Sequence, residues 1–282
     1  MGRFRYVIAD VFTDTPLQGN GVAVFTDARE LPEDKLQPIA REMNLSETVF
    51  VYKPEGEGHA RIRIFTPTRE LPFAGHPTLG TAFILSGPLQ LEEIRLETGQ
   101  GLVPVRLERD ESGRIVFGRM AQPLPSVEAY AEAEELLEIL GVGGSELPVE
   151  VYDNGIQHVY VCLPSEEAVA GLRPDLGRLV DRAALVCVNC FAGEGSRWKT
   201  RMFAPASGVA EDPATGSAAG PLALHLARHG RIAFGDEIEI SQGVEVGRPS
   251  KLFARVDGSA DDVQRVEVGG SAVTVARGEL SV

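Results

Sequence analysis

The chain has 282 residues, of which 43% are hydrophobic and 24% charged, and its formal net charge is −14. This composition is typical of a globular protein with a sizeable core, and the length fits one large domain or two ordinary ones. The acidic balance argues against a surface for nucleic acid or anionic membranes, but it leaves a small anionic substrate open because local dipoles can outweigh distant charge. The sequence shows no apolar span of about 20 residues, no signal peptide and only three cysteines, so we expect a cytoplasmic protein without a disulfide framework.

Short apolar or alternating runs predict strands along the whole chain. In the first half these are residues 4–12, 21–25, 48–52, 60–65, 94–97 and 102–107. In the second half they are residues 149–151, 159–163, 184–191, 200–203, 237–240, 252–256 and 272–276. Helices are predicted over residues 32–43 and 126–140, the second capped by Ser126 and stopped by Gly141, and two more apolar helices follow His76 and Ser217. Prolines within residues 120–125 predict a linker.

An internal repeat relates the two halves of the sequence. The segment Glu-Leu-Pro-Phe-Ala-Gly-His at residues 70–76 matches Glu-Asp-Pro-Ala-Thr-Gly-Ser at residues 211–217, an offset of 141 residues. Phe-Thr-Pro from residue 65 matches Phe-Ala-Pro from residue 203 at an offset of 138, and Gln-Gly from residue 100 matches Gln-Gly from residue 242 at an offset of 142. Three matches in the same order predict two similar domains, residues 1–120 and 121–282, with a C-terminal tail that can return to the first.

Each copy of the repeat leads through a glycine into an uncharged, apolar helix. Pro77 suits the first turn of one helix, and Ser217 would cap the other. A helix that is apolar all round is buried, so we expect each domain to wrap its strands around a central helix. The free N–H groups at a helix start attract anions, and Gly75 and Gly216 let a ligand approach the backbone closely. Two such helix ends, one from each domain, would bind a small carboxylate.

Four motifs carry a resemblance to a known family. They are Asp-Val-Phe-Thr-Asp from residue 10 with Gly-Asn at 19–20, Asn-Leu-Ser-Glu-Thr-Val from residue 44, the run over residues 65–80, and Glu-Asp-Pro-Ala-Thr-Gly-Ser-Ala from residue 211. With these motifs the chain resembles the phenazine-biosynthesis PhzF-like isomerase family from about residue 6 to residue 255. The chain departs from the family at Gly21, where proline usually follows the asparagine.

The resemblance implies an α+β fold of the diaminopimelate epimerase type, with two similar domains that are each a β-barrel around a central α-helix. It also implies an isomerase that needs no cofactor and no metal, commonly a homodimer, with the substrate bound between its domains. The family's acid/base glutamate falls on Glu47, and its catalytic histidine, aspartate and serine fall on His76, Asp212 and Ser217. Substrate contacts are expected at Asn20, Gly75, Pro77, Thr78, Thr215 and Gly216.

The chemistry expected at these residues is proton transfer. A hydrogen on carbon near a carboxylate or a conjugated alkene is weakly acidic, and a buried carboxylate can take it and return it at another carbon. Glu47 would shuttle this proton, while the helix ends would stabilise charge that grows on the substrate. His76 and Asp212 would hydrogen-bond each other and hold or relay a second proton, and Ser217 would orient the substrate.

Cysteines and a histidine pair offer competing chemistry. Cys187 and Cys190 have the spacing of a redox dithiol, but they lie in a predicted strand, where residues three apart point to opposite faces, so buried structural cysteines are predicted. Related epimerases use two cysteines as acid and base, and neither copy of the repeat contains one. His225 and His229 are four residues apart on one helix, but no carboxylate in the sequence pattern completes a metal site.

The main functional prediction is therefore an isomerase that shifts a proton, and with it a double bond, on a small carboxylate that is amino-acid-like or cyclic. One alternative is an epimerase, racemase or lyase with the same acid/base site. Another is a protein that binds a carboxylate without catalysis. No nucleic-acid or membrane partner is predicted.

Overall fold

The computed structural model describes residues 2–182 and 186–282. Contacts between Cα atoms divide the chain into two compact units, Met1–Ala121 with Gly269–Val282, and Gln122–Val268. The strands, in chain order, are β1 (Arg3–Val11), β2 (Asn20–Phe25), β3 (Glu47–Tyr52), β4 (Ala60–Phe65), β5 (Glu70–Leu71), β6 (Glu93–Thr98), β7 (Gly101–Arg109), β8 (Ile115–Gln122), β9 (Ser126–Ala129), β10 (Glu150–Asp153), β11 (Gln157–Cys162), β12 (Val186–Glu194), β13 (Arg197–Ala204), β14 (Val209–Asp212), β15 (Glu237–Gln242), β16 (Ser250–Gly258), β17 (Val263–Gly270) and β18 (Ala272–Ser281). The helices are α1 (Glu33–Met43), α2 (Gly75–Leu89), α3 (Ala133–Leu140), α4 (Glu166–Gly171), α5 (Leu176–Arg182) and α6 (Gly216–Arg228), with a 3₁₀ turn at Pro205–Ser207.

The first unit is a mixed sheet in which β1 lies antiparallel between β18 and β2. From β2 the pairing continues to β3 in parallel, to β4 antiparallel and to β6 in parallel. The strands β7 and β8 follow, both antiparallel, and the short β5 pairs with β4. The parallel steps require crossovers, which α1 and α2 supply.

The second unit repeats this order. The strand β10 lies antiparallel between β9 and β11, and the pairing continues to β12 in parallel, to β13 antiparallel and to β15 in parallel. The strand β16 follows antiparallel, and the short β14 pairs with β13. Because each type of pairing recurs at the same place, the repeat in the sequence corresponds to a repeat of strand topology.

Each unit holds one apolar helix against its strands. In the first unit α2 contacts β1, β2, β3, β6, β7 and β18. In the second unit α6 contacts β11, β15 and β16, and its residues from Gly216 to Ala227 are all buried. This burial follows from the lack of a polar face, since a helix that is apolar all round gains most free energy when it is enclosed. The α+β class is confirmed.

The prediction of a helix over residues 126–140 is wrong in its first half. Ser126–Ala129 forms β9, whose residues pair with β10, and the helix α3 covers only Ala133–Leu140. The pairing supplies the backbone hydrogen bonds of this segment, so Ser126 caps no helix. The helix ends at Gly141 as predicted, in the left-handed conformation with φ of 71°.

Other differences concern elements that the sequence pattern did not indicate. The strands β5, β8, β14 and β17 and the helices α4 and α5 have no counterpart among the predicted elements, and β9 lies where a helix was predicted. The predicted strand over residues 184–191 is observed from Val186, and residues 184 and 185 lie outside the described part of the chain. Among the described residues, no helix combines the length and the apolar character needed to cross a bilayer.

Candidate active site

In the first unit the helix α2 begins at Gly75 itself, so His76 lies within the first turn and does not precede it. The N–H group of Thr78 donates to the carbonyl of Ala74 at 3.3 Å, and its hydroxyl donates to the same carbonyl at 2.7 Å. Pro77 has no N–H group. The start of α2 therefore leaves the N–H groups of Gly75 and His76 outside the helical hydrogen-bond pattern.

In the second unit α6 begins in the same way. Gly216 is the first helical residue and Thr215 is the N-cap, so the prediction that Ser217 caps this helix is wrong. The N–H groups of Ala218 and Ala219 donate to the carbonyl of Thr215 at 3.1 and 3.2 Å. The N–H groups left outside the helical pattern are those of Gly216 and Ser217, the positions that correspond to Gly75 and His76.

Three polar side chains of the first unit meet at the start of α2. The Nδ1 atom of His76 lies 3.2 Å from Nδ2 of Asn20, which is the first residue of β2. The Nε2 atom of His76 lies 3.2 Å from Oε2 of Glu47, which is the first residue of β3. The His76 side chain is 3% exposed and that of Glu47 is 13% exposed. The sequence prediction thus named three residues that the fold brings together.

The surroundings of His76 define its charge and its tautomer. Burial lowers the pKa of His76 to about 3, against a smaller opposite effect of a hydrogen bond with the backbone of Gly21, so the ring is neutral at pH 7. Nδ2 of Asn20 lies within hydrogen-bond distance of Nδ1, and an amide nitrogen that donates to Nδ1 leaves the ring proton on Nε2. This proton faces Glu47, although the two groups are not aligned as a regular hydrogen bond. A neutral N–H beside a carboxylate orients that carboxylate without neutralising it.

A second set of three polar side chains meets at the start of α6. The Nε2 atom of His158, on β11, lies 3.1 Å from Oγ of Ser217. The Nδ1 atom of His158 lies 3.3 Å from Nδ2 of Asn189, on β12. Burial lowers the pKa of His158 to about 3. Because Asn189 donates to Nδ1, the ring proton lies on Nε2 and is donated to Ser217, whose own hydroxyl proton is then available to another acceptor.

The two sets occupy equivalent places in the repeated topology. The offset of 138 residues that relates Phe65 to Phe203 also relates Asn20 to His158. In the parallel pairs, Val22 is opposite Glu47 and Tyr160 is opposite Asn189, so Glu47 and Asn189 correspond. Each unit therefore links one polar residue from each of two adjacent strands to the second residue of its helix, directly for Asn20 and Glu47 in the first unit and, in the second, through His158 for Asn189. A carboxylate occupies this arrangement in the first unit and an amide in the second.

The turn before α6 is fixed by Gln242. Its Oε1 atom accepts hydrogen bonds from the Thr215 N–H at 3.1 Å and from the Thr200 hydroxyl at 3.2 Å. Its Nε2 atom donates to the carbonyl of Asp212 at 2.8 Å and to the hydroxyl of Thr215 at 2.9 Å. The Thr215 hydroxyl donates to Oδ2 of Asp212 at 2.6 Å. The predicted site residues Asp212, Thr215, Gly216 and Ser217 thus form one rigid segment.

The glutamates that open the two repeated motifs have a structural role. Arg63 donates to both carboxylate oxygens of Glu70, each at 2.7 Å. Arg201 donates in the same way to Glu211, at 2.8 and 2.7 Å. Such two-pronged ion pairs fix the strand before each helix. These ion pairs explain why Glu70 and Glu211 stand in the repeated motifs, and no catalytic role is needed to explain them.

The three cysteines are buried and free of disulfide bonds. Cys187 packs with Met202 and Ala204, whereas Cys190 belongs to a separate core cluster, as expected for opposite faces of β12. Burial raises the pKa of Cys162 to about 11 and that of Cys190 to about 12. Neither of these two thiols is ionised at neutral pH, so they are unsuited to acid/base exchange.

Several residues of these networks were not predicted from the sequence. His158 and Asn189 are isolated polar residues in strands, and no local pattern marks them. Gln242 belongs to the Gln-Gly match of the internal repeat, but it was not predicted as a site residue. The offset of 138 residues could have identified His158. The sequence pattern also provided no carboxylate for His225 and His229, whereas the fold places Glu150 beside both.

Comparisons with known proteins agree with this architecture. A family model described as phenazine biosynthesis-like protein (PhzC-PhzF) matches residues 9–278. The trans-2,3-dihydro-3-hydroxyanthranilate isomerase of Pseudomonas fluorescens is 53% identical over 276 residues, which cover 98% of this chain and 99% of that protein. A PhzF-family protein of Bacillus anthracis has a TM-score of 0.86 at 25% identity and full coverage of both chains.

A hydroxyproline epimerase of Agrobacterium vitis, at 12% identity, shares the fold with a TM-score of 0.64, over 99% of this chain and 92% of that one. The fold is thus common to PhzF-family proteins and to this epimerase. Since the family model and the relatives match nearly the whole chain, the chain belongs to the phenazine biosynthesis-like (PhzC-PhzF) family.

Proposed function

We propose that this protein isomerises trans-2,3-dihydro-3-hydroxyanthranilate, or a closely related cyclic amino acid, without a cofactor. The protein is an isomerase, since relatives 53–54% identical over nearly the whole chain are named isomerases. The observation that carries the proposal is the contact between Glu47 and His76 at the start of α2, 3.2 Å between Oε2 and Nε2. This pair is a carboxylate base with a fixed neighbour, in a chain 53% identical to an isomerase of that name.

The proposed substrate carries a carboxylate on a partly unsaturated ring. The N–H groups at the starts of α2 and α6, including those of Gly75 and Gly216, would bind this carboxylate together with Asn20. Pro77, Thr78 and Thr215 would line the site without donating to the carboxylate. This role requires both helix starts to act on one ligand, as in two barrel domains of the diaminopimelate epimerase type with the substrate between them. A cytoplasmic homodimer is part of the same proposal, and sedimentation analysis measures the oligomeric state.

The proton transfer then follows from the residues of the first unit. Glu47 takes a proton from a ring carbon, and the electron pair of the broken C–H bond delocalises into the adjacent unsaturated system. The proton on Glu47 exchanges with solvent, and Glu47 then delivers a proton to another carbon of that system, so the double bond shifts and the elemental composition is unchanged. In this proposal the neutral ring of His76, whose Nε2 atom lies 3.2 Å from Oε2 of Glu47, turns to donate its proton to Glu47 and orients that carboxylate once the substrate is bound.

The residues of the second unit supply donors and a second carboxylate. In this proposal Asp212 hydrogen-bonds His76 and carries a second proton when the substrate is bound. The Ser217 hydroxyl, which accepts a hydrogen bond from His158, donates a hydrogen bond to the substrate. His158 is a positioning residue, since it acts through Ser217.

The alternative of an epimerase receives support from the shared fold alone, since the hydroxyproline epimerase is 12% identical. The high pKa values of Cys162 and Cys190, caused by burial, argue against a mechanism that uses those two thiols as acid and base. A third possibility is carboxylate binding without chemistry.

Product analysis separates these functions. The protein is incubated in D₂O with trans-2,3-dihydro-3-hydroxyanthranilate, and the product is followed by NMR and mass spectrometry. We expect a constitutional isomer with one deuterium on carbon. A diastereomer of the substrate would indicate an epimerase, loss of water or ammonia would indicate a lyase, and unchanged substrate that binds without exchange would indicate a binding protein.

A further inference from the structure

Three metal-ligating side chains meet in the second unit, at the C-terminal end of α6. Glu150 is the first residue of β10, and His225 and His229 are one helical turn apart. The Oε2 atom of Glu150 lies 3.1 Å from Nδ1 of His225 and 3.0 Å from Nε2 of His229. These three atoms all lie within 4.8 Å of one another.

The spacing matches that of ligands around a four-coordinate ion. Nitrogen and oxygen atoms bound at about 2.0–2.1 Å in a tetrahedron are roughly 3.3 Å apart. The observed distances from the carboxylate oxygen to the two imidazoles, 3.1 and 3.0 Å, need only small side-chain adjustments to reach this value. Two imidazoles and one carboxylate suit Zn²⁺ and similar ions, whereas Mg²⁺ and Ca²⁺ prefer oxygen ligands.

We propose that Glu150, His225 and His229 bind a divalent transition-metal ion such as Zn²⁺, and that this ion links the end of α6 to β10.

The groups around the cluster hold the ligands in place. The Tyr152 hydroxyl donates to Oε2 of Glu150 at 2.8 Å, and Nη2 of Arg228 lies 3.8 Å from the other carboxylate oxygen. Both groups would orient the carboxylate of Glu150 for binding to the ion. The positive charge of Arg228 would repel the ion and offset part of this effect. The negative end of the α6 dipole favours a cation at this place.

His225 is prepared to act as a ligand. Its ring lies among the rings of Tyr152, Tyr160 and Phe191, which hold it beside Glu150. In this structure Nδ1 of His225 faces the carboxylate of Glu150, which can only accept, and Nε2 has no hydrogen-bond partner within the described residues. Binding of an ion by Nδ1 would therefore move the ring proton from Nδ1 to Nε2. His229 is 20% exposed, which provides access from solvent.

The site is distinct from the proposed active site. His229 follows Ser217 by twelve residues along one helix, about 18 Å at 1.5 Å per residue. The ion would hold the helix end and would not contact the substrate. Loss of the ion should thus lower stability without abolishing isomerase activity, and the two proposals fail separately.

The test is titration of the chelator-treated protein with CoCl₂, followed by absorption spectroscopy, calorimetry and thermal unfolding. We expect the intense absorption of four-coordinate Co²⁺, displacement by ZnCl₂, no response to MgCl₂, and a rise in Tm of roughly 5 °C or more at about 100-fold the dissociation constant. The variants His229→Gln and Glu150→Gln should weaken Co²⁺ binding at least tenfold. His59→Gln, at an exposed histidine of the first unit, is the matched control and should bind as the wild type does.

Circular dichroism of each variant establishes that it is folded, and His229→Gln changes a partly exposed side chain, so it tests the site without emptying the core. Equal Co²⁺ affinity in the wild type and in the two ligand variants would overturn the proposal. So would binding by the wild type without the four-coordinate spectrum, since the cluster would then be only a hydrogen-bonded contact between α6 and β10.

Discussion

The His158 ring donates a hydrogen bond to the Ser217 hydroxyl across 3.1 Å, because Asn189 occupies the other ring nitrogen as a donor. Because the Ser217 oxygen accepts this hydrogen bond, its own hydroxyl proton is available for donation to another group. In the first unit the equivalent positions carry Asn20, Glu47 and His76. The same three places in the repeated topology thus hold a base in one unit and a hydroxyl donor in the other.

Removal of the His158 donor should lower catalysis without loss of the fold. For His158→Leu we expect kcat to fall roughly tenfold to hundredfold, because Ser217 loses the partner that orients it. His158→Gln keeps an amide donor and should recover part of the loss. The double variant with Ser217→Ala should be no slower than Ser217→Ala alone. Fully additive losses in steady-state kinetics would show that His158 acts independently of Ser217.

Gln242 should contribute strongly to stability, since it makes four hydrogen bonds with Thr200, Asp212 and Thr215. Gln242→Leu leaves buried polar groups without partners, and we expect a loss of about 3 kcal/mol in the free energy of unfolding. Urea denaturation measures this change in the free energy of unfolding. Gln264→Leu, at an exposed glutamine, is the control and should change stability by less than about 0.5 kcal/mol. Equal effects of the two substitutions would refute the assigned role of Gln242.

The backbone of α2 at Gly80 packs closely against β1 and β2, so we expect that this position does not tolerate a side chain. A Cβ atom there would lie 2.8 Å from methyl groups of both Val11 and Val22. Although alanine normally stabilises a helix, we expect Gly80→Ala to destabilise the protein by about 1–3 kcal/mol. Gly171→Ala, at a helical glycine with open space around it, should be neutral or stabilising by up to about 1 kcal/mol. Thermal unfolding of both variants checks the difference in sign.

Because His76 and His158 are buried, we expect the free energy of unfolding to fall as the pH is lowered below about 6.5. The pKa of His76 and that of His158 are each lowered to about 3 by burial, so between pH 6.5 and 3 the unfolded chain binds more protons than the folded one. In this window each of the two histidines lowers the free energy of unfolding by about 1.4 kcal/mol for each unit by which the pH falls. Urea denaturation at several pH values should show a shallower slope for His158→Asn than for the wild type. An unchanged slope would contradict the neutral, buried state of His158.

Much of the fold was accessible from the sequence because its signals are local. Uncharged runs after Gly75 and Gly216 predict buried helices, and the repeat predicts their equivalence. The segment over residues 126–140 was misassigned in part because β9 depends on pairing with β10, which local propensity does not encode. His158 and Glu150 were missed for the same reason: their partners are 59 and 75 residues away in sequence. Glu47 was identified by family resemblance alone.

The proton transfer assigned to Glu47 can be tested by comparison of Glu47→Gln with the wild type in D₂O. Glutamine has the same shape but cannot accept a proton, so the variant should still bind the substrate and should lose activity by roughly 10²–10⁴-fold. Calorimetry establishes binding, and circular dichroism establishes the fold. Glu47→Asp, which keeps a carboxylate on a shorter side chain, should retain more activity than Glu47→Gln.

The most direct measurement is the rate at which solvent deuterium enters carbon positions of trans-2,3-dihydro-3-hydroxyanthranilate and its product, followed by NMR. We predict incorporation with wild-type protein and loss of incorporation with Glu47→Gln while the ligand remains bound. Incorporation by Glu47→Gln within tenfold of the wild-type rate would contradict the assignment of Glu47 as the base.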